Sequence, residues 1–205
     1  MAATLWVGSM YLPYMVAVLL AIVVRLLVTG ALHEDGLADF LDGFGGGGSD
    51  KDRILTIMKD SHIGTYGVIG LILYHLLLAA TLLSMTPTMA ALTILAASPY
   101  ARMVTAQLIM MMPYARREED AKAKTVYRKM DWRAGVGLAI QGLLPMGLYL
   151  WYTELPWELV IFLPCIVMYF LYLLIWNKLH GYTGDCCGAV CLLVELAVYL
   201  VVCAL

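Results

Sequence analysis

Charge is what this chain mostly lacks. Asp, Glu, Lys and Arg make up 14% of its 205 residues, where a soluble domain carries about a quarter. With 62% hydrophobic residues and a mean hydropathy of +0.83, the composition excludes an ordinary soluble domain. It predicts an integral membrane protein built as one domain. An excess of positive charge is missing too: a net charge of −2 offers no basic surface to a nucleic acid. No CxxC pair occurs. The five cysteines are Cys165, Cys186, Cys187, Cys191 and Cys203, and all but Cys186 and, at the margin, Cys187 fall inside apolar segments. Such an odd set of thiols reads as packing residues and argues against a disulfide or zinc framework. The N-terminus lacks the basic start and short apolar stretch of a secretory signal.

What is there is a series of long apolar runs. Six are long enough to cross about 30 Å of hydrocarbon: Tyr11–Leu32, Tyr66–Met85, Thr88–Met112, Val136–Tyr152, Trp157–Asn177 and Cys187–Leu205. Breaks at Pro87, Pro113 and Pro156 support these boundaries, and the fourth run is the shortest and contains Pro145. The expected fold is all-α: a polytopic helical bundle of about six spans, with short interfacial helices in the loops. Eleven of the thirteen Lys and Arg residues fall in the stretches 33–65 and 113–135 or at Lys178, and the short loops on the other side have none. This bias predicts that an acidic, glycine-rich loop (33–65) and a basic loop (113–135) both face the cytosol. Residue 1 then starts outside, with Met1–Met10 too short to span, so an earlier helix is expected.

The stretch "HEDGLADFLDGFGGGGSDKDRILTIMKDSHIGTYG", residues 33–67, concentrates seven acidic residues and a run of four glycines. Asp35, Asp39 and Asp42 are spaced i, i+4, i+7, which stacks them on one helix face. Three such carboxylates repel unless a cation joins them, and Mg²⁺ takes oxygen ligands from one or two carboxylates plus substrate phosphates. The spacing therefore predicts a metal site on Asp35, Asp39 and Asp42. Glu34 is an accessory ligand, and His33 either supports the site from behind or acts as a base. A solvated acidic helix start explains Glu34 and Asp35 but not the acids a turn further in. Gly45–Gly48 reads either as a phosphate nest or as a hinge. Ser49 with Asp52 suggests a capping box that opens a helix from Asp50 to Asp60. Lys59, Asp60 and His62 then arrive just before the second span.

Polar groups inside the spans are functional candidates by default. Arg102 either pairs with Glu195 or reaches a substrate phosphate, and Arg25 either snorkels or pairs with an aspartate. His75 and Gln141 are expected to bond between helices. Asp185, in "GYTGDCCG", is either the N-cap of the last span or part of the site. In the basic loop, Lys122, Lys124, Arg128 and Lys129 suit anionic headgroups, while Arg116 is the better phosphate contact.

"HEDGLADFLDGFGGG", "IMKDSHIGTYG", "PYAR" at Pro113–Arg116 and "GYTGDCCGA" at Gly181–Ala189 occur in order and span most of the chain. Together they resemble the cobalamin synthase family, adenosylcobinamide-GDP ribazoletransferase. The resemblance implies a multi-pass enzyme of the cytoplasmic membrane that joins adenosylcobinamide-GDP to α-ribazole or its 5′-phosphate, releases GMP and requires Mg²⁺. It implies that Glu34, Asp35, Asp39 and Asp42 form the acidic motif, with Lys59, Asp60 and Asp185 as further polar signatures. His62, Arg102 and Arg116 join these as expected substrate contacts, and Asp42 or His33 as the expected proton acceptor. Family members usually carry an additional N-terminal stretch, which this chain lacks. The nearest rival is a CDP-alcohol phosphotransferase, but "DGLAD" departs from its DG-x-x-AR pattern. A cation transporter would place its carboxylates at the midplane on broken helices.

Overall fold

Left-handed backbone positions mark where this chain turns. Gly30 and Ala31 have φ of 61° and 54°, the second unusual for a residue with a Cβ. They end α2 (Tyr14–Thr29) and swing the chain 89° into α3 (Leu32–Gly46). The computed structural model describes residues 1–116 and 130–205, and within these its elements are helices. The seven-residue α1 (Ala2–Gly8) precedes α2; after α3 come α4 (Lys51–Lys59), α5 (Thr65–Leu83), α6 (Pro87–Met111), α7 (Trp132–Thr153), α8 (Trp157–Leu179) and α9 (Gly184–Ala204). Residues 117–129, which hold most of the basic-loop expectation, lie outside the described set.

Four of these, α5, α7, α8 and α9, are each long and apolar enough to cross a membrane, or five if the bent pair α2–α3 counts as one broken span. The chain is thus a multi-pass membrane protein. The expected first span shrinks to the 16 residues of α2, about 24 Å at 1.5 Å per residue and too short alone. The expected third span is α6, 25 residues long. Thr93, Ser98, Arg102, Thr105 and Gln107 dilute its apolarity, so it falls short of the other spans. The stretch 33–65 resolves mostly into α3 and α4.

α9 is the hub. In its most apolar stretch 72% is buried inside the protein, against 17% for both α7 and α8, whose apolar side chains are largely exposed. α3 crosses α9 where Gly36 meets Gly188: a Cβ on Gly36 would lie 3.2 Å from the Asp185 Cα, and one on Gly188 3.2 Å from the His33 carbonyl oxygen. Small residues at a helix crossing let backbones approach this closely. The same logic corrects the reading of the glycine run. Gly45 and Gly46 continue α3, Gly47 caps it, and only Gly48 is left-handed, at φ 64°. A Cβ on Gly47 would meet the Ile54 side chain at 2.4 Å, and one on Gly45 the Tyr66 ring at 2.6 Å. The glycines thus admit α4 and α5 against α3 rather than forming a nest. The cap of α4 is Asp50, which accepts from the N–H groups of Asp52 and Arg53 at 3.0 and 3.2 Å, and not Ser49.

Among the thiols, Cys186 and Cys191 are buried, Cys165 and Cys187 partly so, and Cys203 is exposed; all are free. Cys186 was expected outside the apolar body and lies within it, because Thr183 starts α9 one turn earlier.

Candidate active site on the acidic helix

The three aspartates of α3 part company in the structure. Asp35 is exposed, Asp39 half-buried and Asp42 buried. Both Asp42 oxygens are engaged: the Gly64 N–H donates to Oδ2 at 2.7 Å and the Gly67 N–H to Oδ1 at 2.8 Å. These N–H groups belong to the N-cap and first turn of α5, where a helix leaves donors unsatisfied and its dipole favours an anion. Asp42 is therefore the cap that α5 lacks in its own sequence. Among the described residues, no three His, Cys, Asp or Glu side chains converge closely enough to hold a metal ion unaided.

Asp35 and Asp39 remain as neighbours one turn apart on α3, and the Gly36 crossing brings the backbone of Asp185 against the same helix. Asp185 is in the first turn of α9, but it is not the cap. That role belongs to Thr183, whose Oγ1 accepts from the Cys186 N–H at 3.2 Å. Arg116 approaches Asp185 with Nη2 at 3.8 Å from Oδ2, and Nη2 donates to the Leu55 carbonyl at 3.3 Å. The Arg116 side chain is 5% exposed, and its Nε and Nη1 have no hydrogen-bond partner among the described residues. A short backbone bridge holds this arrangement. The Ala115 N–H donates to the Tyr182 carbonyl at 2.8 Å and the Tyr182 N–H to the Pro113 carbonyl at 3.0 Å. The Tyr114 and Tyr182 rings meet edge to face, 5.5 Å apart. "PYAR" and "GYTGD", more than sixty residues apart, are thus one structural unit that sets Arg116 beside Asp185. Gly181 is required there, since a Cβ would lie 2.6 Å from the Pro113 carbonyl oxygen.

Glu34 turns away from this group. It is buried, with Oε1 3.4 Å from Arg25 Nε, while Arg25 Nη2 bonds Glu195 Oε2 at 2.7 Å and Tyr199 donates to Glu195 Oε1 at 2.8 Å. Of the two partners considered for Arg102, Glu195 is taken by Arg25. Arg25 takes two glutamates rather than an aspartate, because the sharp α2–α3 turn brings Glu34 back over it. Arg102 Nη1 donates to the carbonyl and hydroxyl of Ser98 on its own helix. It lines a cavity of about 170 Å³ with Arg25, Thr29, Ser98 and Glu195. His33 is half-buried at the start of α3.

Lys59, Asp60 and His62 are all exposed. His62 Nδ1 is 2.7 Å from Asp60 Oδ1, and the His62 N–H donates to the same oxygen at 3.1 Å. This bond raises the His62 pKa above its ordinary 6.5 and lowers that of Asp60. Two expectations of bonds between helices fail. His75 bonds the Leu71 carbonyl at 2.8 Å within its own helix, and Gln141 is exposed, so neither bridges helices. Sequence reasoning missed the Asp42–Gly64–Gly67 clamp. Its signal was the pair of glycines in "GTYG" at the start of a helix with no capping side chain.

The family model for cobalamin-5-phosphate synthase matches residues 1–203. The chain is similar to an adenosylcobinamide-GDP ribazoletransferase of Leptospira interrogans, 36% identical over 198 residues, which cover 94% of this chain and 74% of the relative. It resembles one from Shewanella frigidimarina at 35% over 206 residues, covering 99% and 77%. A third, from Shewanella putrefaciens, is 38% identical over 204 residues, covering 98% and 76%. No solved structure matches the chain.

Proposed function

The chain belongs to the cobalamin-5-phosphate synthase family, and from that premise we propose that it joins adenosylcobinamide-GDP to α-ribazole, or its 5′-phosphate, with release of GMP. A ribose hydroxyl attacks the phosphorus that stays with cobinamide, the bond to the GMP oxygen breaks, and the hydroxyl proton passes to a base. Such transfer depends on positioning and charge neutralisation rather than on a protein nucleophile. The observation that carries the reading is the pairing of Arg116 with Asp185, set by the Pro113–Tyr182 bridge at the start of α9, where the Gly36–Gly188 crossing packs α9 against the acidic helix.

The oxygen donors of Asp35 and Asp39 fit Mg²⁺, which commonly takes one or two carboxylates and completes its shell with phosphates and water. When bound there it would neutralise the diphosphate. The guanidinium of Arg116, with two nitrogens unpartnered among the described residues, suits the phosphate oxygens, and Asp185 orients it. Of the two candidate proton acceptors His33 is the one left, because Asp42 has both oxygens committed to α5. Glu34 is better suited to holding Arg25 than to binding metal. Lys59, Asp60 and His62, on the loop before α5, and Arg102 at its cavity are the remaining substrate contacts in this reading. The enzyme works in the cytoplasmic membrane with its acidic helix toward the cytosol, where nucleotide-activated substrates are found.

Membranes carrying the protein, given adenosylcobinamide-GDP, α-ribazole and Mg²⁺, are expected to release GMP and form the cobalamin product. Turnover of a CDP-alcohol in place of the corrinoid substrate would contradict the reading.

A further inference from the structure

We propose that Asp42 is a positioning residue: its carboxylate clamps the first turn of α5 to the acidic helix and so fixes the loop 60–63 relative to that helix. The inference rests on the reading above for what that loop contacts, but the clamp itself stands on geometry. Asp42 is 7% exposed and gives one oxygen to each of two N–H groups, at 2.7 and 2.8 Å. Both donors are glycines, and the reason is steric. A Cβ on Gly64 would lie 2.5 Å from Asp42 Oδ1, and one on Gly67 2.5 Å from Oδ2. The carboxylate therefore sits directly on the backbone, in a slot that any side chain would close. Four residues, 60–63, separate the end of α4 from Gly64. α4 is itself seated on α3 through Gly43 and Gly47. With both ends of the short loop tied to α3, its exposed Asp60 and His62 have a fixed height relative to the acids.

This arrangement separates two roles that the i, i+4, i+7 spacing had merged. Asp35 and Asp39 are on one helix, so their mutual geometry does not depend on α5. Loss of the clamp leaves them in place and displaces only the loop. An ångström-scale misplacement of a positioning element costs on the order of 100-fold in rate.

The test uses Asp42→Asn and Gly67→Ala in the full chain in lipid nanodiscs. The second variant keeps the carboxylate but drives a methyl into it. We expect both to lower kcat about 100-fold, to leave the Mg²⁺ concentration for half-maximal rate unchanged, and to speed amide exchange at residues 64–67 while α9 stays protected. Wild-type exchange at those amides in Asp42→Asn would overturn the proposal. So would a raised Mg²⁺ requirement in Asp42→Asn, or full activity in Gly67→Ala beside a dead Asp42→Asn. Should Asp42→Asn fail to fold, Gly67→Ala alone decides by the same readouts. If the wild-type protein forms no product, the reading above fails, and amide exchange still tests the clamp.

Discussion

Arg25 shows how much a single side chain can hold. Its guanidinium lies between Glu34 and Glu195, with Tyr199 completing the second carboxylate. Removing one partner from a buried ion pair strands the other charges. Arg25→Met is expected to destabilise the protein by about 3–5 kcal/mol, read as a lowered thermal midpoint, while Arg25→Met with Glu195→Leu recovers part of the loss. The sequence marked Arg25 and Glu195 as costly intramembrane charges, yet their pairing was not legible, since it depends on a turn at Gly30–Ala31 that no periodicity announces. The exposed Asp60–His62 pair gives a residue-scale test by pH. A raised His62 pKa means that the pair's contribution is lost as pH rises through that value. A lowered Asp60 pKa means that it is lost on the acid side only as pH falls through the lowered one. The His62 ring is expected to titrate above 6.5 by NMR, and its midpoint should fall toward 6.5 in Asp60→Asn. An unmoved midpoint would show that the bond does not persist in solution.

Among the elements, α3 repays the closest look. Its existence and its acidic face were legible from the i, i+4, i+7 spacing, which is a property of the chain alone. Its glycines were not, because their purpose lies in what packs on them. Gly43 meets Met58 and Ile54, and Gly47 meets Ile54 again. Gly47→Ala is expected to cost about 1–3 kcal/mol by overpacking and to loosen α4, seen as faster amide exchange over residues 51–59 with α9 unchanged. Similar stability in wild type and variant would mean that α4 can ride off α3 freely. The same limit explains the capping errors. Asp50 and Thr183 beat Ser49 and Asp185 because each cap was fixed by where a helix starts, and starts are decided by packing. It also explains Asp42, whose partners are on a different helix more than twenty residues away.

At the scale of the whole molecule, composition and long apolar runs made the helical membrane class legible at once. Depth and span count were harder to read. α6 looks like a span in sequence but its polar residues leave it less apolar than the other spans, whereas the first expected span is half of a bent pair. Cysteine introduced at Ser49, with Cys203 replaced by serine, is expected to react from the cytosolic side, and cysteine at Glu154 from the opposite side. The reverse pattern would invert the proposed orientation. The central claim is that Asp35 and Asp39 act together on Mg²⁺ at the phosphate being transferred. The most direct measurement is GMP release from adenosylcobinamide-GDP and α-ribazole as Mg²⁺ is titrated against wild type, Asp35→Asn and Asp39→Asn. The account predicts that each variant needs more Mg²⁺ and turns over more slowly, with the fold retained. Wild-type rates and an unchanged Mg²⁺ requirement in Asp39→Asn would contradict it.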